Sequence, residues 1–115
     1  MNDVEMVTDK LLKFRKNRDW EKFHNPKDLA ISLILEASEL LEHFQWKSEE
    51  EVKKHIREHR VDIANELADV FNWILLIAHD LNIDLIQASL KKINKNKQKY
   101  PVKKSKGKYT KWTNL

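Results

Sequence analysis

A chain of 115 residues has room for one small domain, 1–115, and not for a catalytic domain beside a separate substrate domain. Having no cysteine, it can form neither disulfide staples nor thiolate metal sites, which leaves oxygen and imidazole as ligands. The net charge of +4 collects in the lysine-rich segment 91–111, which carries no acid, and no apolar run approaches the roughly 20 residues that cross a bilayer; a soluble, cytoplasmic protein with no membrane partner is expected.

One glycine, Gly107, and two prolines, Pro26 and Pro101, leave long uninterrupted intervals and predict an all-α fold. The first helix is predicted from about Asp3 to Lys16, with Val4, Val7, Leu11 and Phe14 on one side and lysines opposite. A polar connector, Arg18-Asp-Trp-Glu-Lys-Phe-His-Asn25, follows with aromatic residues unusual for a plain loop. Asn25 as N-cap, Pro26 at the first helical position and Asp28 in the first turn open a second helix that reaches about Phe44. After Gln45-Trp46-Lys47, the capping box Ser48-Glu-Glu-Glu51 starts a third helix, interrupted near His55 to Arg60 and continuing to about His79. Asn82 or Asp84 caps a fourth helix that Pro101 stops, and an extended basic tail completes a four-helix bundle.

The second and third helices carry the informative pattern. Glu36/Glu39 and Glu66/Asp69 each place two carboxylates three residues apart, about 60° around a helix, so each pair shares a face. Ser32 and His43 join the first pair in a narrow polar stripe on an otherwise apolar helix, while Asp62, Glu66, Asp69 and Trp73 follow helical spacing on the other. No Lys or Arg lies between Leu29 and Trp46 or between Val61 and Leu90, so neither helix supplies its own ion-pair partners. Four such carboxylates brought together would raise one another's pKa values unless a cation neutralised them. Oxygen ligation favours Mg²⁺, Mn²⁺ or Ca²⁺, and Mg²⁺ held by carboxylates leaves positions for substrate phosphates. The competing account pairs these acids with lysines from other helices. Trp20, Trp46 and Trp73 serve either as core filler or as stacking surfaces for a base, and neither His24 nor His43 is assigned to a metal.

Glu36-Ala-Ser-Glu39 followed by Glu66-Leu-Ala-Asp69 resembles the ExxE…ExxD signature of the MazG-like, all-α nucleoside triphosphate pyrophosphohydrolases. The strings Arg18-Asp-Trp-Glu-Lys-Phe-His24, Glu39-Leu-Leu-Glu-His-Phe-Gln-Trp-Lys47 and Asn96-Lys-Gln-Lys-Tyr-Pro-Val102 are most similar to the dCTP pyrophosphatase branch, and together they reach across nearly the whole chain. The resemblance implies hydrolysis of a nucleoside triphosphate to the monophosphate and pyrophosphate, with Glu36, Glu39, Glu66 and Asp69 holding Mg²⁺ and Glu39 also orienting the attacking water. It implies a base and sugar pocket from Trp20, Glu21, Lys22, Phe23, His24, Trp46 and Trp73, phosphate contacts from Lys92 and Asn96, and a homotetramer built as a dimer of dimers. Leu11, between Lys10 and Leu12, stands where related dCTP enzymes can carry a histidine, which leaves the preferred base open between dCTP, a modified dCTP and a broader set of nucleotides. A non-enzymatic helical module that grips nucleic acid through its lysine-rich tail is the rival of a different class.

Overall fold

The computed structural model describes residues 1–115, which form six α-helices and two 3-10 turns. They resolve into two compact units, Met1–Asn82 and Ile83–Leu115. In the first unit, α1 (Asp3–Asn17), α2 (Pro26–Glu42), α3 (Glu49–Glu58) and α4 (Arg60–Asp80) follow one another, with a 3-10 turn (Glu21–Phe23) between α1 and α2. Their starts are chemically marked. Asn2 and Glu5 form a capping box at α1, the Asn25 side chain accepts from the Asp28 N–H at α2, and Ser48 and Glu51 form the capping box of α3. Each cap satisfies amides that a helix cannot satisfy internally, at about 1 kcal/mol apiece.

The interruption expected between His55 and Arg60 is a complete break. His59 leaves helical geometry (φ −123°, ψ 29°), donates to the His55 carbonyl at 2.8 Å and accepts from the Ile63 N–H at 3.0 Å, ending one helix and starting the next. The four expected helices therefore become six, the last arising in the tail.

Packing in this unit centres on α2 against α4, with α1 and α3 also resting on α4. Leu29 of α2 and Leu75, Leu76 and Ala78 of α4 form the buried apolar core. Arg15 is also buried, where its guanidinium meets Asp80 through two parallel bonds, Nη1 to Oδ2 at 2.8 Å and Nη2 to Oδ1 at 2.9 Å. This fork joins α1 to the end of α4. Much of the broad apolar surface read from α2 stays uncovered: Ile31, Ile34, Leu35 and Leu41 are exposed, as are Leu67 and Phe71 on α4.

In the second unit, Asp84 caps α5 (Leu85–Lys99) by accepting from the Gln87 N–H. The tail is not extended throughout. Pro101 ends α5 but begins α6 (Val102–Ser105), its carbonyl accepting from the Lys104 and Ser105 amides at 3.0 Å; a proline needs no N–H of its own at a helix start. A 3-10 turn at Trp112–Asn114 follows, and the Lys99 ammonium lies 4.9 Å from the Trp112 ring centre. Gly107 takes the left-handed φ of +74° that separates α6 from this last stretch.

Candidate active site

The i, i+3 spacing on α2 and α4, and the packing of those helices, bring carboxylates from both into one place. Ligand-capable oxygens of Glu36, Glu39 and Glu66 lie within 4.8 Å of one another. Asp69 stands outside this triad, yet its charge reaches Glu36 and Glu66. Glu36 Oε2 and Glu66 Oε2 are buried with no hydrogen-bond partner. Burial, then contact with Glu39, then the charges of the surrounding acids push the Glu36 carboxyl above the usual carboxylate range. Burial and Glu39 likewise raise Glu66, with His43 opposing. Within Met1–Asn82, the ion pairs that Lys and Arg make all lie elsewhere: Arg15 with Asp80, Lys22 with Asp19, Lys53 with Glu49 and Glu50, and Lys54 with Glu58. The account that pairs these acids with lysines finds no support inside this unit. Orphaned carboxylate oxygens converging from two helices suit a hard divalent cation, which satisfies the lone pairs and removes the mutual repulsion at once.

Beside the acids lies a half-open, mainly apolar cavity of about 450 Å³. Glu36 and Asp69 form its acidic edge; Trp20, His24 and Trp73 supply aromatic walls; Lys10, Leu11 and Phe14 of α1 close another side. His24 meets Trp73 edge to face with ring centres 5.5 Å apart, and Trp20 meets Phe14 in the same way at 5.7 Å. His24 Nδ1 is buried without a partner. Burial, followed by the nearby Arg15 charge, holds its pKa below the usual histidine value, so the ring is neutral at neutral pH and has hydrogen-bonding capacity to offer a ligand. A second cavity, of about 370 Å³, is lined by Glu39, Glu42, His43, His55 and Glu66.

The expected residues thus fall into groups. Trp20, His24, Glu36, Asp69 and Trp73 share the aromatic cavity, and Glu39 and Glu66 line its neighbour. Glu21, Lys22 and Phe23 form the exposed 3-10 turn and line neither cavity. Trp46 sits just beyond α2 at a left-handed φ of 66°, its indole 92% exposed and its residue absent from both cavity walls. Lys92 and Asn96 are exposed on α5 in the second unit. Sequence reasoning missed Arg15 and Asn72. Both carried a signal: position 15 extends the apolar series 7, 11 on α1, and Asp69, Asn72, Trp73 and Leu76 follow i, i+3, i+4, i+7 spacing, so a polar amide occupies a cavity-facing row.

Residues 31–115 match the model of the MazG-like family. The chain is 39% identical over 104 residues to dCTP pyrophosphatase 1 of Mus musculus, covering 89% of this chain and 61% of that protein. It is 35% identical to the Homo sapiens protein of the same name, with the same coverages. The chain therefore spans about 61% of the length of these relatives. A crystal structure of a pyrophosphatase from Archaeoglobus fulgidus superposes with a TM-score of 0.83 at 37% identity, covering 88% of this chain and 94% of that one.

Proposed function

This chain belongs to the MazG-like family, and from that premise we propose that it is a nucleoside triphosphate pyrophosphohydrolase that converts a deoxynucleotide, dCTP or a modified dCTP in first place, to its monophosphate and pyrophosphate. The observation that carries the reading is the convergence of Glu36, Glu39 and Glu66 within 4.8 Å, with buried unpartnered oxygens, beside an aromatic cavity large enough for a nucleobase. The names of the mammalian relatives and of the archaeal structure support the same reaction class.

In this reading Glu36, Glu39, Glu66 and Asp69 hold Mg²⁺, with Mn²⁺ as the substitute. Bound there, the cation would neutralise charge on the triphosphate and on the pyrophosphate leaving group. Trp73 and Trp20 stack on the base, His24 offers its neutral ring as a hydrogen-bonding partner, and the apolar walls exclude water around the sugar. Glu39 Oε orients the attacking water and takes its proton as the bond from the α-phosphorus to the bridging oxygen breaks. A neighbouring subunit of a tetramer, a dimer of dimers, completes the pocket near Glu21, Lys22, Phe23 and Trp46. The cellular role that follows is cleansing or balancing the nucleotide pool. Leu11 and Asn72 both line the cavity, so base preference is decided there, and a broader set of nucleotides is the second reading because Leu11 offers no hydrogen bond.

The test is a panel of canonical and modified nucleoside triphosphates assayed with Mg²⁺ for pyrophosphate as distinct from orthophosphate. Pyrophosphate release from at least one deoxynucleotide, abolished by Glu39→Ala or Asp69→Ala with helical content intact, is expected. No turnover across the panel, or unchanged turnover in both variants, refutes the proposal.

A further inference from the structure

His43 and His55 belong to different elements yet meet at the second cavity. His43 caps the C-terminus of α2 in helical geometry (φ −62°, ψ −25°), His55 lies in α3, and His43 Nδ1 stands 2.8 Å from His55 Nε2. Three carboxylates, those of Glu39, Glu42 and Glu66, line the same cavity. Glu39 precedes His43 by four residues on one helix, the spacing at which two side chains can reach a common ion. We propose that His43 and His55, with the Glu39 carboxylate, form a site for a borderline transition-metal ion of the Zn²⁺ or Co²⁺ type, separate in its ligand chemistry from the all-oxygen cluster.

The distances set the adjustment required. Two nitrogens bound about 2.05 Å from a tetrahedral ion lie about 3.3 Å apart, so the imidazoles need to open by roughly half an ångström. Glu39 must turn its carboxylate toward them, since the tight triad on this helix pair contains Glu36 and Glu66 rather than a histidine. The His55 ring is held from its outer side: it stacks on His59 with ring centres 4.4 Å apart and planes 24° from parallel, and His59 Nδ1 lies 3.3 Å from Asp62 Oδ2. Such support fixes ring orientation before an ion arrives. Imidazole favours Zn²⁺ and Co²⁺ over Mg²⁺, while the surrounding carboxylates attract any cation. Because Glu39 also serves the proposed Mg²⁺ cluster, occupation of this site opposes Mg²⁺-dependent turnover; that consequence alone rests on the function proposed above.

The experiment is a Co²⁺ titration of the full chain in a large excess of Mg²⁺, followed by visible absorption and reversed with Zn²⁺. One Co²⁺ per chain, displaced by Zn²⁺ but not by Mg²⁺, is expected, with affinity lowered about tenfold or more in His55→Ala and in His43→Ala. His55 lies outside the acidic cluster, so its variant remains informative if loss of His43 disturbs the end of α2; circular dichroism checks both. Absence of Co²⁺ binding, its displacement by Mg²⁺, or wild-type affinity in His55→Ala overturns the assignment. None of these readouts depends on nucleotide hydrolysis.

Discussion

Replacing Asp80 with Asn tests how the floor of the aromatic cavity is held. Arg15 is a cavity-lining residue, and its side chain is 9% exposed against 21% for Asp80. Removing one partner of a buried ion pair costs about 3–5 kcal/mol because the other charge is left without compensation. Here the amide keeps one acceptor oxygen for the guanidinium, and Asp80 retains some contact with water, so about 2–3 kcal/mol is the appropriate magnitude. For a chain of this size that corresponds to a fall of about 8–12 °C in the melting midpoint, at about 4 °C per kcal/mol. The loss depends on pH in a defined direction. The Arg15 bonds, and after them the His79 contact, hold the Asp80 carboxyl below its ordinary value in the folded chain. Its contribution is therefore present above the unfolded pKa of about 3.9 and is lost as pH falls through the folded value. Thermal melts of wild type and Asp80→Asn followed by far-UV circular dichroism should differ most near neutrality and draw together as pH falls below about 3.9. Equal midpoints at pH 7, or a gap undiminished by acid, would refute a stabilising ionic fork.

The acidic cluster carries the opposite sign. Glu36 and Glu66 have folded pKa values above their unfolded ones, so their contribution to stability is complete below about pH 4.3 and is lost as pH rises through the raised values. Metal-free Glu36→Gln and Glu66→Gln proteins should melt above wild type at pH 8, whereas Mg²⁺ at a hundred times its dissociation constant should add about 2.7 kcal/mol to wild type and little to either variant; melts with and without Mg²⁺ decide this, and a wild type indifferent to Mg²⁺ counts against the metal assignment. For base choice, Asn72→Leu should change the ratio of kcat/KM between cytosine and other nucleotides by about tenfold or more while leaving Mg²⁺ binding intact, because it removes the amide from the cavity wall. An unaltered ratio excludes Asn72 from base reading.

What the sequence made legible follows the range of each interaction. Caps act within four residues, so Asn25, Ser48 and Asp84 announced their helices correctly. The acidic pairs were legible for the same reason: an i, i+3 pair and the lack of basic neighbours are local facts. The bidentate fork was not, since Arg15 and Asp80 are 65 residues apart and their meeting depends on how α1 rests on α4. The His43–His55 contact likewise depends on the turn that returns α3 towards α2. Pro101 misled because the residue that terminates α5 also supplies the first carbonyl of α6. Wheel positions showed α2 as apolar around most of its circumference, but which part would be covered depends on neighbours that periodicity does not reveal.

That uncovered surface bears on the candidate active site. Ile34 and Leu35 are 65% and 60% exposed on α2, the helix that carries Glu36 and Glu39. Each large aliphatic side chain removed from water contributes about 1.5–3 kcal/mol, so an isolated chain forgoes several such contributions on the helix pair whose packing sets the acidic convergence. Trp46 adds a second unfavourable term: a non-glycine residue in the left-handed region costs about 1 kcal/mol or more, and its exposed indole recovers nothing within the chain. In the proposed assembly, a second copy laid over the α2 face would take these side chains out of water. It would also restrict sliding of α2 against α4, movement that would open the triad of Glu36, Glu39 and Glu66. The proposed assembly is thus tied to the proposed chemistry through a single helix pair, and dissociation should weaken divalent-ion binding before it unfolds the core around Leu29 and Leu75.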